Sequence, residues 1–232
     1  LQLEAGTLSV GDHRYDLNAC ERILVVGAGK AVAPMAKALE DLLGDRITAG
    51  VLVVKDGHGL PLKKIRIQEA GHPVPDERGV AGTLEILKLL EGAGKRDLVI
   101  CLISGGGSAL LIAPSEEISL ADKQAATRNL LANGTTTPEI NTIRKHLSRA
   151  KGGQLARAAH PATVLSLILS DVVGDDLDVI GSGPTVPDPS VFQNAVDILQ
   201  RYEIWVRTPA SVRDRLSQGA RGSIPETPKP GD

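Results

Sequence analysis

The chain contains very few aromatic residues. Among its 232 residues there are one Trp, one Phe and two Tyr, so aromatics make up only 2% of the sequence. A protein with so little ring surface has almost no platform for stacked bases, and nucleotide binding between aromatic rings is not expected. Its two cysteines, Cys20 and Cys101, indicate neither a disulfide framework nor a zinc site.

Net charge and long apolar runs are also lacking. With 26 basic and 28 acidic residues the formal charge is −2, which argues against a nucleic-acid backbone or an anionic membrane as partner. No apolar run approaches the ~18 residues of a membrane span, and no secretory leader is evident, so we expect a cytoplasmic protein. The hydrophobic content of 42% indicates a globular core of Leu, Ile, Val and Ala.

Short apolar runs alternate with helical patterns along most of the chain. The predicted strands are Ile23–Val26, Val51–Val54, Ile65–Ala70, Leu98–Ile103 and Val164–Leu169. The predicted helices cover 30–43, 77–91, 119–132, 138–149, 153–159, 191–201 and 208–218. This alternation predicts an α/β fold with three α/β/α layers and a mainly parallel, Rossmann-like sheet. Residues 1–20 are expected to form an irregular lead-in or a short hairpin that turns at Gly11-Asp12.

The composition changes near residue 220. Residues 1–219 are predicted to form one large α/β domain, whereas residues 220–232 combine several Pro and Gly residues with no apolar periodicity. That composition is typical of a linker, so we expect a further domain downstream. An irregular C-terminus explains the same composition equally well.

The most informative motif is the segment Ser104-Gly105-Gly106-Gly107-Ser108, which directly follows a predicted buried strand. Ligands bind where strands of α/β sheets end, and three residues without Cβ let backbone N–H groups approach an anion closely. The two serine hydroxyls add further donors. The segment predicts a phosphate or carboxylate site; the alternative is a flexible turn that needs positive φ angles.

A second glycine motif, Gly27-Ala28-Gly29-Lys30, follows the first predicted strand and opens a helix, where an anion can approach. Lys30 is a candidate for contacting a phosphoryl group, although a lysine at a helix start is often only solvated. The motif matches the dinucleotide fingerprint weakly. Val32 stands where that fingerprint needs a third Gly or Ala, and Lys55 follows the second strand instead of an acidic residue.

Basic and amide side chains recur along one predicted helix. On a helix, Asn141, Arg144, Lys145 and Ser148 share a face, and Lys151 follows beside Gly152-Gly153. Such a face suits a carboxylate or a phosphate. The alternative is an ordinary solvated basic surface.

An acidic segment follows the last predicted strand. Asp171 lies nearest the strand end, and Asp175 comes four residues later; carboxylates there suit Mg²⁺ or a general base, although Asp-rich loops are commonly only turns. The small-residue loop that contains Ser182 and Gly183 offers more donors to an anion. His72 has no specific role from sequence alone.

Together these motifs resemble the glycerate 2-kinase family, two-domain enzymes that were long named hydroxypyruvate reductases. The segments that carry the resemblance are Val26–Ala31, Glu69–Asp76, Ile103–Leu111, Asn141–Ser148, Lys151–Gly153, Ser170–Asp175 and Ser182–Pro189. The likeness extends from about residue 22 onward, and several segments are long enough to make chance matching improbable.

The resemblance implies transfer of a phosphoryl group from ATP to the 2-hydroxyl of D-glycerate, with Mg²⁺, in a cleft between two α/β domains. Lys30 aligns with a lysine implicated in the active site of the family. Relatives continue into a smaller C-terminal domain, so this chain is expected to carry one wall of the site, and its activity in isolation stays open. Formation of a homodimer also stays open.

The residues also fit two other functions. One is an NAD(P)H-dependent hydroxypyruvate reductase, favoured by the partial glycine fingerprint. The other is an inactive anion-binding or dimerisation module, favoured by the missing second domain.

Overall fold

A computed structural model describes all residues 1–232. The chain opens with a three-stranded antiparallel sheet, β1 (Gln2–Glu4), β2 (Thr7–Val10) and β3 (His13–Asp16). The expected hairpin at Gly11-Asp12 is therefore present, and β1 adds a strand that the sequence pattern does not reveal. The main sheet follows with β4 (Arg22–Ala28), β5 (Ile47–Lys55), β6 (Ile65–Ala70), β7 (Asp97–Ser104) and β8 (Thr163–Leu169).

All five strands of the main sheet are parallel, in the order β6-β5-β4-β7-β8. Chain order therefore runs outward from β4 to one edge and then resumes beside β4 with β7. This reversal creates a crevice beyond the carboxyl ends of β4 and β7, where open α/β sheets bind ligands.

The helices are α1 (Val32–Leu43), α2 (Glu77–Leu90), α3 (Gly107–Leu110), α4 (Leu120–Ala132), α5 (Thr137–His146), α6 (Gln154–Ala159), α7 (Phe192–Arg201) and α8 (Ala210–Ala220). All seven predicted helices are confirmed within a few residues at each end. The short α3 was missed because it follows directly on the glycines. Helix α5 ends at His146, before the predicted 149, since the next residues bridge back to Pro114.

Alternating strand residues fill the two faces of the main sheet. In β4, Ile23 and Val25 pack with α1, whereas Leu24 and Val26 pack with α2 and α6 on the opposite face. Because both faces are covered, all eight residues of the inner strand β7 are buried. Each fully buried Ile, Leu or Val contributes about 1.5–3 kcal/mol to this core. The three-layer α/β/α prediction is confirmed.

A separate apolar cluster holds α4, α5, α7 and α8 together, with Phe192, Leu199 and Leu216 among its buried residues. The segment after α8 also packs on the body of the fold. Thr227 is buried and donates a hydrogen bond to Asp188, whose N–H in turn donates to the carbonyl of Pro228. The stretch with linker composition is thus partly anchored. None of the helices is long and apolar enough to cross a bilayer.

Candidate functional site

The carboxyl ends of the parallel strands bring the sequence-predicted residues to one edge of the sheet. Lys30 follows β4, His72 follows β6, Ser104 ends β7, and Asp171 follows β8. Parallel strands end on the same side, so a pattern of polar residues after each strand becomes a cluster in space.

The glycine loop, Ser104–Ser108, lies at the centre of this edge. Gly106 has φ +84°, a conformation that L side chains rarely adopt, and it turns the chain from β7 into α3. The N–H groups of Gly105, Gly106, Gly107 and Ser108 donate to no acceptor within the chain. Four consecutive free donors agree with the predicted anion-binding loop.

The start of α1 is arranged differently from a dinucleotide site. The N–H groups of Gly29, Lys30 and Ala31 already donate to Val53 O (3.1 Å), Gly105 O (2.9 Å) and Ser104 Oγ (2.9 Å). A Cβ on Gly29 would lie 2.1 Å from Ser104 Oγ. These glycines therefore allow the neighbouring loop to pack closely, and the N–H groups of Gly29, Lys30 and Ala31 are not free to bind an anion.

Three side chains surround the glycine loop and form the strand-end cluster: Lys30, His72 and Asp171. A Cβ on Gly105 would lie 2.2 Å from Asp171 Oδ2, and one on Gly106 would lie 2.9 Å from His72 Nε2 and 3.4 Å from Lys30 Cγ. Burial, reinforced by the charges of Lys30, Lys55 and His58, lowers the pKa of His72. His72 is therefore neutral at pH 7 beside the Lys30 ammonium.

On the other side of the loop lies a cavity of about 290 Å³, the cationic cavity. Its lining residues are Pro73, Val74, Pro75, Ser108, Ala109, Ile112, Lys123, Gln124, Thr127, Arg128, Leu131, Arg144 and Lys151. None of them is acidic. Burial, then the charge of Arg144 and that of Arg215, lowers the pKa of Lys123 to about 7. Burial, then Lys123 and Arg144, lowers the pKa of Lys151 as well.

Backbone carbonyls hold the two lysines in the cavity wall. Lys151 Nζ donates to Ser108 O at 2.8 Å, and Lys123 Nζ donates to Leu147 O at 3.3 Å. Neither lysine has a carboxylate partner. Lys151 thereby ties the cavity wall directly to the glycine loop.

Asn141, Ser182 and Gly183 support the loop and do not line the cavity. Ser182 Oγ lies 2.7 Å from Ser108 Oγ and donates to Asn141 Oδ1 at 3.0 Å, and Arg144 Nη1 reaches the same oxygen at 3.5 Å. Gly183 has φ +58° and accepts from the N–H of Gly153 at 2.7 Å. These buried polar contacts fix the position of the loop.

Two members of the predicted basic face point elsewhere. The buried Lys145 forms ion pairs with the partly buried Asp178 (2.6 Å) and the buried Asp188 (3.3 Å). Ser148 lies beyond the end of α5, and its hydroxyl donates to Ala113 O. Helical periodicity predicted that both residues lie on the basic face. Lys145 is instead directed toward the two carboxylates, and Ser148 lies outside the helix because α5 ends before it.

The acidic segment does not form a protein-only metal site. Asp171 and Asp175 are both exposed, and only Asp171 contacts the glycine loop. No group of three or more His, Cys, Asp or Glu side chains is arranged to hold a metal ion.

Lys123, Gln124 and Arg128 were missed by sequence reasoning. The signal was present for Lys123: it shares the buried side of α4 with Ala126 and Leu130, at spacings of three and four residues. A lysine on an apolar helix face needs a ligand or a carbonyl.

The predicted residues therefore gather in two adjacent places. Arg144, Lys151 and Ser108 line the cationic cavity, whereas Lys30, Gly105, Gly106 and Asp171 lie at the other side of the loop. His72 leads directly into Pro73–Pro75 of the cavity wall, and Gln124 donates to Pro75 O at 2.7 Å.

Comparison with known proteins confirms the resemblance read from the motifs. Glycerate 2-kinase of Pyrococcus horikoshii is 49% identical over 208 residues, 90% of this chain and 47% of that protein. An Agrobacterium vitis protein that carries the name of a hydroxypyruvate reductase is 49% identical over 211 residues, 91% of this chain and 47% of its own length.

The crystal structure of glycerate kinase from Thermotoga maritima superimposes with a TM-score of 0.82 at 45% identity, over 90% of this chain and 48% of that one. The chain thus spans about half the length of the relatives it matches. A family model described as Domain of unknown function (DUF4147) matches residues 2–217. On this evidence the chain belongs to the DUF4147 family.

Proposed function

We propose that the protein to which this chain belongs transfers the γ-phosphoryl group of ATP to the 2-hydroxyl of D-glycerate, giving 2-phosphoglycerate. The observation that carries the proposal is the cationic cavity, which contains buried cations and no carboxylate and borders the glycine loop at the sheet reversal. Since the chain spans about half of its relatives, it supplies one wall of the site. A cytoplasmic location belongs to the same proposal.

The position of each residue indicates its role in the proposed reaction. Phosphoryl transfer depends mainly on positioning and on neutralising charge. Lys30 contacts the transferred phosphoryl group, and the free N–H groups of the glycine loop bind its oxygens. Arg144 and Lys151 bind the glycerate carboxylate or a phosphate group. Asn141, Ser182 and Gly183 hold the loop in place.

Mg²⁺ and ATP are compatible with the residues present. Mg²⁺ in nucleotide enzymes is held by one or two carboxylates, by water and by substrate phosphates, so a single carboxylate beside the glycine loop fits such an ion. Asp171 would hold it through water or orient the 2-hydroxyl, and Asp175 is the second candidate ligand. The bound Mg²⁺ would neutralise charge on the phosphates.

An NAD(P)H-dependent reductase is the second candidate. The name carried by the Agrobacterium vitis relative favours it. The occupied N–H groups at the start of α1 and the buried Val32 weigh against it, because a dinucleotide needs that helix end. An inactive anion-binding module is the third candidate, since this chain alone supplies only part of a two-domain site.

The decisive experiment uses the full-length protein. D-glycerate with Mg-ATP is expected to release ADP, and hydroxypyruvate with NADH is expected to leave NADH unoxidised. NADH oxidation without ADP release would overturn the kinase. If neither reaction occurs in a folded full-length protein, that result favours the third candidate, the inactive anion-binding module.

A further inference from the structure

The cationic cavity gathers more basic side chains than the single carboxylate of a hydroxy acid can pair. Lys123, Arg144 and Lys151 lie in its wall with Arg128, and the lining includes no Asp or Glu. Lys123 is 4% exposed and Lys151 is 0% exposed. A buried basic group is charged only at a cost unless it has an acidic partner, so an anionic ligand in the cavity would supply the counter-charge that Lys123 and Lys151 lack.

The cations retain unused hydrogen-bond donors. An ammonium has three N–H groups, and Lys123 and Lys151 each spend one on a backbone carbonyl. The Arg144 guanidinium makes a single hydrogen bond, at 3.5 Å to Asn141 Oδ1. A phosphate monoester offers three acceptor oxygens and about −1.5 to −2 charges, which matches these donors better than a carboxylate does.

The size and lining of the cavity limit the rest of the ligand. Its volume of about 290 Å³ lies at the small end of ligand sites, which span about 300–1,000 Å³. No aromatic side chain lines it, so a nucleotide base has no ring to stack on. The cavity therefore suits a ligand smaller than a nucleotide.

We propose that the cationic cavity binds the phosphate group of a small phosphorylated hydroxy acid, and that Lys123 is the residue that discriminates this phosphate from a carboxylate. The identity of the hydroxy acid, 2-phosphoglycerate, rests on the proposed function; the preference for a phosphate monoester rests on the cavity alone. Product binds there more tightly than D-glycerate.

Protonation of Lys123 provides an independent signal of occupancy. Its ammonium faces Arg144 of α5 and Arg215 of α8, with Lys151 nearby, and these charges together with burial hold its pKa at about 7. Arg215 is itself paired with Glu117. At pH 8 a phosphate monoester is already fully ionised, so binding next to a largely neutral Lys123 must take up protons from the buffer.

The test is calorimetric titration of the full-length protein at pH 8, in two buffers of different ionisation enthalpy. Inorganic phosphate, 2-phosphoglycerate, D-glycerate and ADP are titrated separately. We expect 2-phosphoglycerate to bind about tenfold or more tightly than D-glycerate, with proton uptake. Lys123→Met should abolish both the preference and the Lys123 share of the uptake. Lys95→Met, at an exposed lysine without a partner, is the control.

Folding of each variant is checked by its thermal midpoint without ligand. Equal affinity for 2-phosphoglycerate and D-glycerate contradicts the proposal, and so does an undiminished preference in folded Lys123→Met. If ADP displaces bound phosphate and 2-phosphoglycerate does not, the cavity serves the nucleotide and the assignment is wrong. Phosphate binding in a full-length protein that releases no ADP would instead refute only the kinase reaction.

Discussion

The strand-end cluster and the cationic cavity lie on either side of one glycine loop, but they are built by different means. In the cluster, charges of both signs, those of Lys30 and Asp171, stand at strand ends in partly or fully exposed positions. In the cavity, Lys123 of α4 and Lys151 are buried and Arg144 of α5 is partly buried, all without a negative partner. Mixed charge suits the reacting groups, whereas uniform buried charge suits a site that holds an anion.

The largest effect is expected from Lys30→Ala in the full-length protein. Loss of a positioned charge at the transferred phosphoryl group should lower turnover about a hundredfold or more, with little change in stability. Steady-state ADP release measures it. Lys37→Ala, at an exposed lysine of α1 paired with Asp41, is the matched control and should keep normal turnover. A fully active Lys30→Ala variant would remove the cluster from catalysis.

The next largest expected effect is a gain in stability in the Lys123→Met variant. Replacing an uncompensated buried charge by an apolar side chain should raise the free energy of unfolding by about 1–4 kcal/mol. The pKa of Lys123 is about 7 in the folded state and 10.5 in the unfolded chain, so only the unfolded chain binds this proton between those values. Wild-type stability therefore gains from this lysine as pH rises through that window.

The gain from Lys123→Met should consequently be full at and below pH 7 and vanish as pH approaches 10.5. Urea unfolding of both proteins at pH 6.5 and 9.5 measures the difference. A gain that is the same at both pH values would show that Lys123 is not a depressed titrating group.

A smaller effect separates the two carboxylates of the acidic segment. Asp171→Asn should lower turnover at least about tenfold, because this carboxylate lies against the glycine loop. Asp175→Asn should stay within about twofold, because its side chain is exposed and makes no hydrogen bond. Titration of Mg²⁺ in both variants is the measurement. Equal rises in the Mg²⁺ requirement would make Asp175 a second ligand.

The smallest effect compares two glycines with similar backbones. Gly106 has φ +84° and Gly134 has φ +71°, so alanine at either position should cost about 1–2 kcal/mol. A Cβ at Gly134 meets nothing within 4 Å, whereas one at Gly106 meets His72. Only Gly106→Ala should therefore weaken anion binding, measured by phosphate titration. Equal binding in both variants would show that the loop is only a turn.

Much of the fold and part of the site follow from the sequence. The apolar run Leu98–Ile103 predicted a buried strand, and the glycines after it predicted where an anion binds, because strand, turn and exposed donors are local properties. The glycines at 27 and 29 have a similar local pattern, but only the structure shows that they pack closely against β7 and the glycine loop.

The sequence by itself determined the alternation of strands and helices and the polar residues that follow each strand, since periodicity and turn chemistry act between near neighbours. Only the tertiary structure decided that Lys123 and Lys151 share a cavity with Arg144 while Lys145 is paired with Asp178 and Asp188. Whether a lysine forms an ion pair or lines a cavity depends on residues distant in the chain. The packing of those residues sets the pKa of the lysine and whether it can bind a ligand.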